Sequence, residues 1–300
     1  MTGMNHAIAN GRNEAMTIAR HGLPGPDRPA GAGADRAWAG LSDAVRAEWT
    51  KLRTVPGTGW ILAAICVLTV AVGAATAAAT RCGAGSGCSI DPTEVSLTGI
   101  QVGQVVVAVL AVLVITGEYS TGMIHTTFTA MPRRSMVLAA KAAVLTGLVL
   151  PAAVVAVAGS LAAGRLILTG HGLTAAHGFA VVSPAHGPTV RAAGGSVLYL
   201  ALIGLLSLGI ATIVRDSAAA TGAVLGTLYV PPVVALFLGG EPTWQRWVER
   251  YTPTNAGLAI VNTTGVHNLV ISPWAGLGVL AAWAAAALLA AGILLRLRDA

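Results

Sequence analysis

Charge is what this sequence has least of. Only 10% of its 300 residues are Asp, Glu, Lys or Arg, against 55% hydrophobic residues, where a soluble domain carries roughly 25% charge. That shortage, with a mean hydropathy of +0.73, excludes a soluble chain and leaves a membrane protein. Lysine is nearly missing: sixteen of the eighteen cations are Arg, and the two lysines are Lys51, between Thr50 and Leu52, and Lys141, between two alanines. Neither sits in a G-K-[ST] phosphate loop, so the chain carries no Walker A site. No His is followed by Glu, which excludes the H-E-x-x-H zinc motif. Gly85-Ser86-Gly87 is a fragment of a serine-nucleophile motif without the strand-turn-helix context that would activate it. The net charge is +6, yet the basic residues lie between apolar runs rather than in a patch with aromatics, which argues against nucleic acid. Met1–Arg20 has no apolar h-region, so neither a signal peptide nor an anchor is expected there. The wealth of Ala, Gly, Val and Arg reads as GC-rich coding, so small residues are not functional by default.

Apolar length is what the sequence has in abundance. A bilayer core takes about 20 apolar helical residues to cross, and runs of that kind occur at roughly 59–79, 98–117, 136–163, 196–214, 218–238 and 274–295. The expected fold is an all-α integral membrane protein of six transmembrane helices. None of these runs contains Asp or Glu, and Lys141 is expected to snorkel to the interface from the start of the third. Pro151 in that long run predicts tilt or a kink, or an end projecting from the bilayer. Residues 1–35, ending in HGLPGPDRPAGAGAD, read as a disordered cytoplasmic tail.

Orientation follows from Lys and Arg near the span ends. With the N-terminus inside, the inner segments hold Arg46, Lys51, Arg53, Arg133, Arg134, Lys141, Arg215, Arg296 and Arg298, nine cations. The outer loops hold five: Arg81, Arg165, Arg191, Arg246 and Arg250. The excess predicts both termini in the cytoplasm, with Trp60 and Trp274 in aromatic belts at span ends. Cys82 and Cys88, in RCGAGSGC, then face the oxidising side at a spacing that permits a disulfide; two free thiols are the alternative. Cys66 reads as an inert small hydrophobe inside the first span.

Two segments are amphipathic. Over residues 36–55, Trp38, Leu41, Val45, Trp49 and Leu52 recur at spacings of 3, 4, 4 and 3, an arc of about 80° on one helix face. Arg36, Arg46, Lys51 and Arg53 occupy the rest, the pattern of a helix lying in the headgroup plane or packed on a soluble partner, or both. Between spans two and three, Ile124, Phe128 and Met131 recur at i, i+4 and i+7 before Pro132 ends the helix. Glu118 precedes that helix, and Arg133 and Arg134 follow it, complementing its dipole. A capped connector with positive-inside charges is the plainer reading of the same residues.

Three quoted segments carry a resemblance. EWTKL (Glu48 to Leu52), GEYSTGMIHTT (Gly117 to Thr127) and Pro132-Arg133-Arg134-Ser135 running on to Lys141 resemble the ABC-2 type permeases of bacterial ABC exporters, in order and topology over residues 38–298. The resemblance implies an N-terminal interfacial helix, here Trp38–Leu52, ahead of a six-span domain at 56–300. It implies a coupling helix that docks on the ATPase subunit, here Glu118, Tyr119, Gly122, Ile124, Thr127, Arg133 and Arg134. Short helices re-entering from outside before span six would fall in EPTWQRWVERYTPTNAGLAIVNTTGVHNLVISPW, which matches in place and amphipathicity alone. The chain itself would hold no cofactor and hydrolyse nothing. ATP and Mg²⁺ would be bound by a partner ATPase in two copies, and a second permease half, most simply an identical chain, would complete the complex in the bacterial plasma membrane.

Uncharged spans suit an amphipathic or hydrophobic cargo such as an antibiotic, drug, peptide or lipid. An ion-coupled secondary transporter would instead place carboxylates or broken helices at mid-membrane, where Gln101 and Gln104 are the polar residues of span two. A non-transporting scaffold is the third reading. His171, His177 and His186 share one outer loop at spacings of 6 and 9, which fit no compact metal motif. Asn262-Thr263-Thr264 matches a glycosylation sequon without meaning in a bacterium. Gly222 and Gly226 have small-x-x-x-small spacing, and Pro231-Pro232 predicts a bend or a tolerated kink.

Overall fold

A computed structural model of the chain describes residues 42, 44–50, 56–81, 90–120, 134–171, 182, 187–237 and 242–297. The chain divides into Met1–Ser42 and Asp43–Ala300, and every element named here belongs to the second unit. The division falls inside the expected 36–55 helix, so helical residues 44–50 go with the spans. The described residues contain no strand.

The helices are α1 (Pro56–Ala79), α2 (Pro92–Leu97), α3 (Ile100–Ser120), α4 (Arg134–Gly170), α5 (Gly187–Val214), α6 (Ser217–Phe237), α7 (Pro242–Tyr251), α8 (Pro253–Leu258) and α9 (Pro273–Leu297), with 3₁₀ turns at Ala259–Val261 and Val266–Asn268. Six membrane-length apolar segments result, with α2 and α3 together forming the second. The chain is thus a multi-pass membrane protein, because only a helix satisfies its backbone polar groups within a single crossing segment. Large apolar side chains point outward along it, among them Trp60, Leu166, Phe237 and Leu289, as lipid-facing surfaces require.

Helix α5 is the hub, packing against α3, α4 and α9, while α1 lies on α4 and α3. Close approach comes from particular glycines. A Cβ on Gly99 would stand 1.9 Å from the Thr69 carbonyl oxygen of α1, and one on Gly276 1.9 Å from that of Ala256. Gly222 and Gly226 have nothing within 4 Å of that position, so the spacing noted in the sequence makes no close contact within the chain.

Three boundaries differ from the sequence expectation, each for a physical reason. The second crossing starts at Pro92 rather than 98 and is broken at Thr98–Gly99, where the chain turns around Thr69; Glu94 and Glu118 therefore fall inside membrane-length helix. The fourth starts at Gly187 rather than 196, because the guanidinium of Arg191 donates to the Asn262 carbonyl at 2.5 Å and the helix tolerates its charge. Helix α4 spans 37 residues and continues through Pro151, about 55 Å at 1.5 Å per residue, well beyond the roughly 30 Å a bilayer core needs.

Candidate functional site

The two ends of the bundle carry different chemistry. At one end, three elements converge on Lys141. Residue 141 comes two turns into α4 on the face turned toward α3 and the 44–50 helix, and its ammonium lies 3.0 Å from Glu48 Oε2 and 2.8 Å from Glu118 Oε1. All three residues are buried. The expected snorkelling is therefore wrong: the ammonium turns inward because two carboxylates meet it there, which removes the need to reach water. Ala44 and Glu48, at i and i+4, form the buried edge of the 44–50 helix, while Val45 is half-buried and Trp49 is 44% exposed beside them. Trp38, Leu41 and Leu52, the other members of the expected apolar face, lie outside the described residues.

Tyr119 follows Glu118 on the last turn of α3, and the Arg215 guanidinium sits over its ring at 5.6 Å, within cation–π range. Arg215 makes the two-residue turn from α5 to α6 with φ +66°, a left-handed conformation that costs a non-glycine residue about 1–2 kcal/mol. Asp216 then accepts from the Ala219 N–H at 2.8 Å and caps α6. The base of the segment between α3 and α4 is thus joined through side chains to the 44–50 helix, α4 and the α5–α6 turn. Of the expected coupling residues, Glu118 and Tyr119 are brought together here, and Arg134 opens α4. Gly122, Ile124, Thr127 and Arg133 lie outside the described residues.

In the middle of the bundle is a polar chain that joins three helices. Gln104 of α3 is fully buried; its amide nitrogen donates to the Tyr229 hydroxyl at 2.8 Å, and the Tyr199 hydroxyl donates to its amide oxygen. Tyr229 donates in turn to the Gln101 carbonyl at 3.0 Å. Both glutamines stand out as polar in the sequence, but the side-chain partners of Gln104 lie 95 and 125 residues away and are not legible there.

At the opposite end, Asp91 holds two loops together. Its carboxylate caps α2 through the N–H groups of Thr93 and Glu94, at 3.0 and 3.3 Å. It also accepts from the N–H groups of Thr263 and Thr264, at 2.6 and 2.9 Å, and from both hydroxyls. The threonines of the apparent sequon are thus the donors of this clasp. Burial alone would raise the Asp91 carboxyl, but the hydrogen bonds from Thr263, Thr264 and Glu94 outweigh it and hold it below the usual carboxylate range. A carboxyl lowered on folding contributes stability that is complete above the unfolded value, near 3.9, and is lost as pH falls through the folded value. Asp91→Asn is therefore expected to lower the apparent melting temperature at neutral pH, with the gap to wild type closing as the pH drops below about 4. A gap independent of pH would show that the charge contributes nothing.

Next to the clasp, α7 stacks Trp244 on Trp247 at 5.4 Å and 10°, with Tyr251 beyond, and buries Val248. Helix α8 and the turn after it enter the bundle: the Thr254 hydroxyl donates to the Leu228 carbonyl at 2.9 Å, and Gly257 packs under the Tyr199 ring. A cavity of about 390 Å³ opens between this segment and the start of α3. His171 Nδ1 donates to the Thr80 carbonyl at 3.1 Å, while His177, His186, Cys82 and Cys88 lie outside the described residues. Cys66, within α1, points its thiol at the Ala152 carbonyl, 3.5 Å away.

Compared with protein-family models and with curated proteins, the chain matches none.

Proposed function

We propose that the chain is the permease subunit of a bacterial ATP-driven exporter, forming the membrane pathway for an amphipathic or hydrophobic cargo. One observation carries this reading: of the residues that resemble the base of a coupling helix, Glu118 is tied by buried charge to Lys141 of α4 and through it to Glu48 of the N-terminal helix, and Tyr119 lies under the Arg215 guanidinium of the α5–α6 turn. A push on the segment after Ser120 is then delivered at once to α3, α4 and the 44–50 helix, because a desolvated ion triad cannot be stretched without exposing an unpaired charge. In this mechanism two partner ATPase subunits bind ATP and Mg²⁺ and close, their motion reaches the permease through that segment, and the bundle changes its side of access. A second, identical permease chain completes the pathway, in the plasma membrane, with both termini in the cytoplasm. The Lys141 end is then cytoplasmic and the Asp91 end outer.

The test is to tag the chain, solubilise native membranes in mild detergent and look for a co-purifying Walker A subunit with vanadate-sensitive ATP hydrolysis. Recovery of the chain without an ATPase overturns the reading in favour of an ion-coupled transporter or a scaffold. A second test separates docking from folding. Arg133→Ala with Arg134→Ala is expected to reduce transport to background while the complex still reaches the membrane. Glu118 is a poorer probe, since its loss also takes from the buried Lys141 one of its two carboxylate partners; unchanged transport in the arginine variant would remove these residues from the docking surface.

A further inference from the structure

The two adjacent prolines of α6 leave one backbone group that the helix cannot satisfy. In an α-helix the carbonyl of residue i accepts from the N–H of residue i+4, and in a 3₁₀ turn from that of i+3. For Leu228 those two donors would be Pro232 and Pro231, and neither carries an N–H. Leu228 is fully buried, and a buried carbonyl without a partner is costly. Its partner comes from another element: the Thr254 hydroxyl of α8 donates to it at 2.9 Å, and Thr254 is itself buried. A threonine from a neighbouring helix is one of the means by which a membrane span tolerates proline. Packing changes at the same point. Ala220, Val224 and Leu228, at successive i+4 positions, are the buried residues of α6, and all three precede the prolines. The Tyr229 hydroxyl, bonded to Gln104 and to the Gln101 carbonyl, fixes the helix once more beside Leu228. None of the described side chains after Leu228 is buried, and Val230, Val233, Val234 and Phe237 are exposed. Few buried contacts mark the segments of a fold that open locally.

We infer that α6 is a two-part helix hinged at Pro231-Pro232, and that the Thr254 hydroxyl is the latch that holds the hinge. While Thr254 bonds the Leu228 carbonyl, the outer half of α6 is fixed to the inner half and to α8; when it withdraws, the outer half swings on the prolines. Where the exporter reading holds, that release opens the outer side of the pathway. The latch itself is measured on this chain alone, so the absence of an ATPase partner would leave it standing, and a failed latch would leave the exporter reading standing.

The test uses the full-length chain in lipid nanodiscs. Thr254→Val keeps the shape of the side chain and removes its donor, so the apparent melting temperature should fall by roughly 5 °C. Pro232→Ala restores the N–H that the Leu228 carbonyl lacks, and in that background Thr254→Val should cost under about 1 °C, a non-additive pair. Spin labels at Phe237 and Leu166, both exposed near the outer ends of α6 and α4, read the hinge itself in a chain with Cys66, Cys82 and Cys88 replaced by Ala. The labelled parent should give one narrow distance distribution, Thr254→Val a broader one with a displaced population, and Thr254→Val with Pro232→Ala a narrow one again. An equal loss of stability from Thr254→Val in both backgrounds, a distribution already broad in the parent, or one as narrow in Thr254→Val would each overturn the assignment. If Thr254→Val does not fold, Pro232→Ala decides: rescue of folding is the expected result, and failure in both backgrounds overturns the latch.

Discussion

Lys141→Met is expected to cost more stability than any other single substitution in the spans. It removes the ammonium from between Glu48 and Glu118, which stay buried and now face one another with no cation. Breaking a buried ion pair from one side costs about 3–5 kcal/mol, a drop of very roughly 10 °C in apparent melting temperature for a domain of this size. The triple variant Glu48→Gln, Lys141→Met, Glu118→Gln should recover most of that loss, since a triad replaced as a whole strands no charge. Melting followed by size exclusion in detergent would read both. A Lys141→Met variant within a couple of degrees of wild type would mean that water reaches the carboxylates, and the mechanical link proposed above would lose its basis. The triple variant also tests function: if it folds and still transports, the charges serve stability alone.

Gly99→Val should be nearly as damaging, and for a steric reason. The first atom of the new side chain would stand 1.9 Å from the Thr69 carbonyl oxygen, a backbone atom that moves only if α1 moves. Overpacking a well-fitted core typically costs about 1–3 kcal/mol, and here separating α1 from α3 would also disturb the turn at Thr98–Gly99 on which the Glu94 and Gln101 wall of the cavity depends. Gly222→Val is the matched control, because nothing lies within 4 Å of that position. Expression and monodispersity should collapse for the first variant and hold for the second. Equal behaviour of the two would mean that α1 and α3 do not cross at Gly99. A loss confined to Gly222→Val would place a contact with another chain on α6.

The sequence by itself determined the number, order and approximate length of the crossings. Apolar runs near twenty residues admit one backbone solution in a bilayer, so six spans were legible without any knowledge of their neighbours. Composition likewise excluded a soluble chain, and neither of the two lysines stands in a G-K-[ST] loop. A lysine within an apolar run needs a counter-charge, and Glu48 and Glu118 are among the carboxylates that six alternating spans bring to its end of the bundle; the sequence does not say which of them pair with it.

Only the tertiary structure decided which polar groups pair and which glycines matter. Lys141 turns inward rather than toward the interface because its partner on the 44–50 helix is 93 residues distant, and Asp91 closes a clasp with residues 172 and 173 positions on. In a chain with 37 glycines, Gly99 and Gly222 look alike in sequence; the crossing of α1 and α3 makes one indispensable, while the other faces open space. Hydrophobic length is a local property that a single helix expresses alone. The partner of a buried charge, or the atom a missing Cβ makes room for, comes from a distant part of the chain and exists only once the helices have packed.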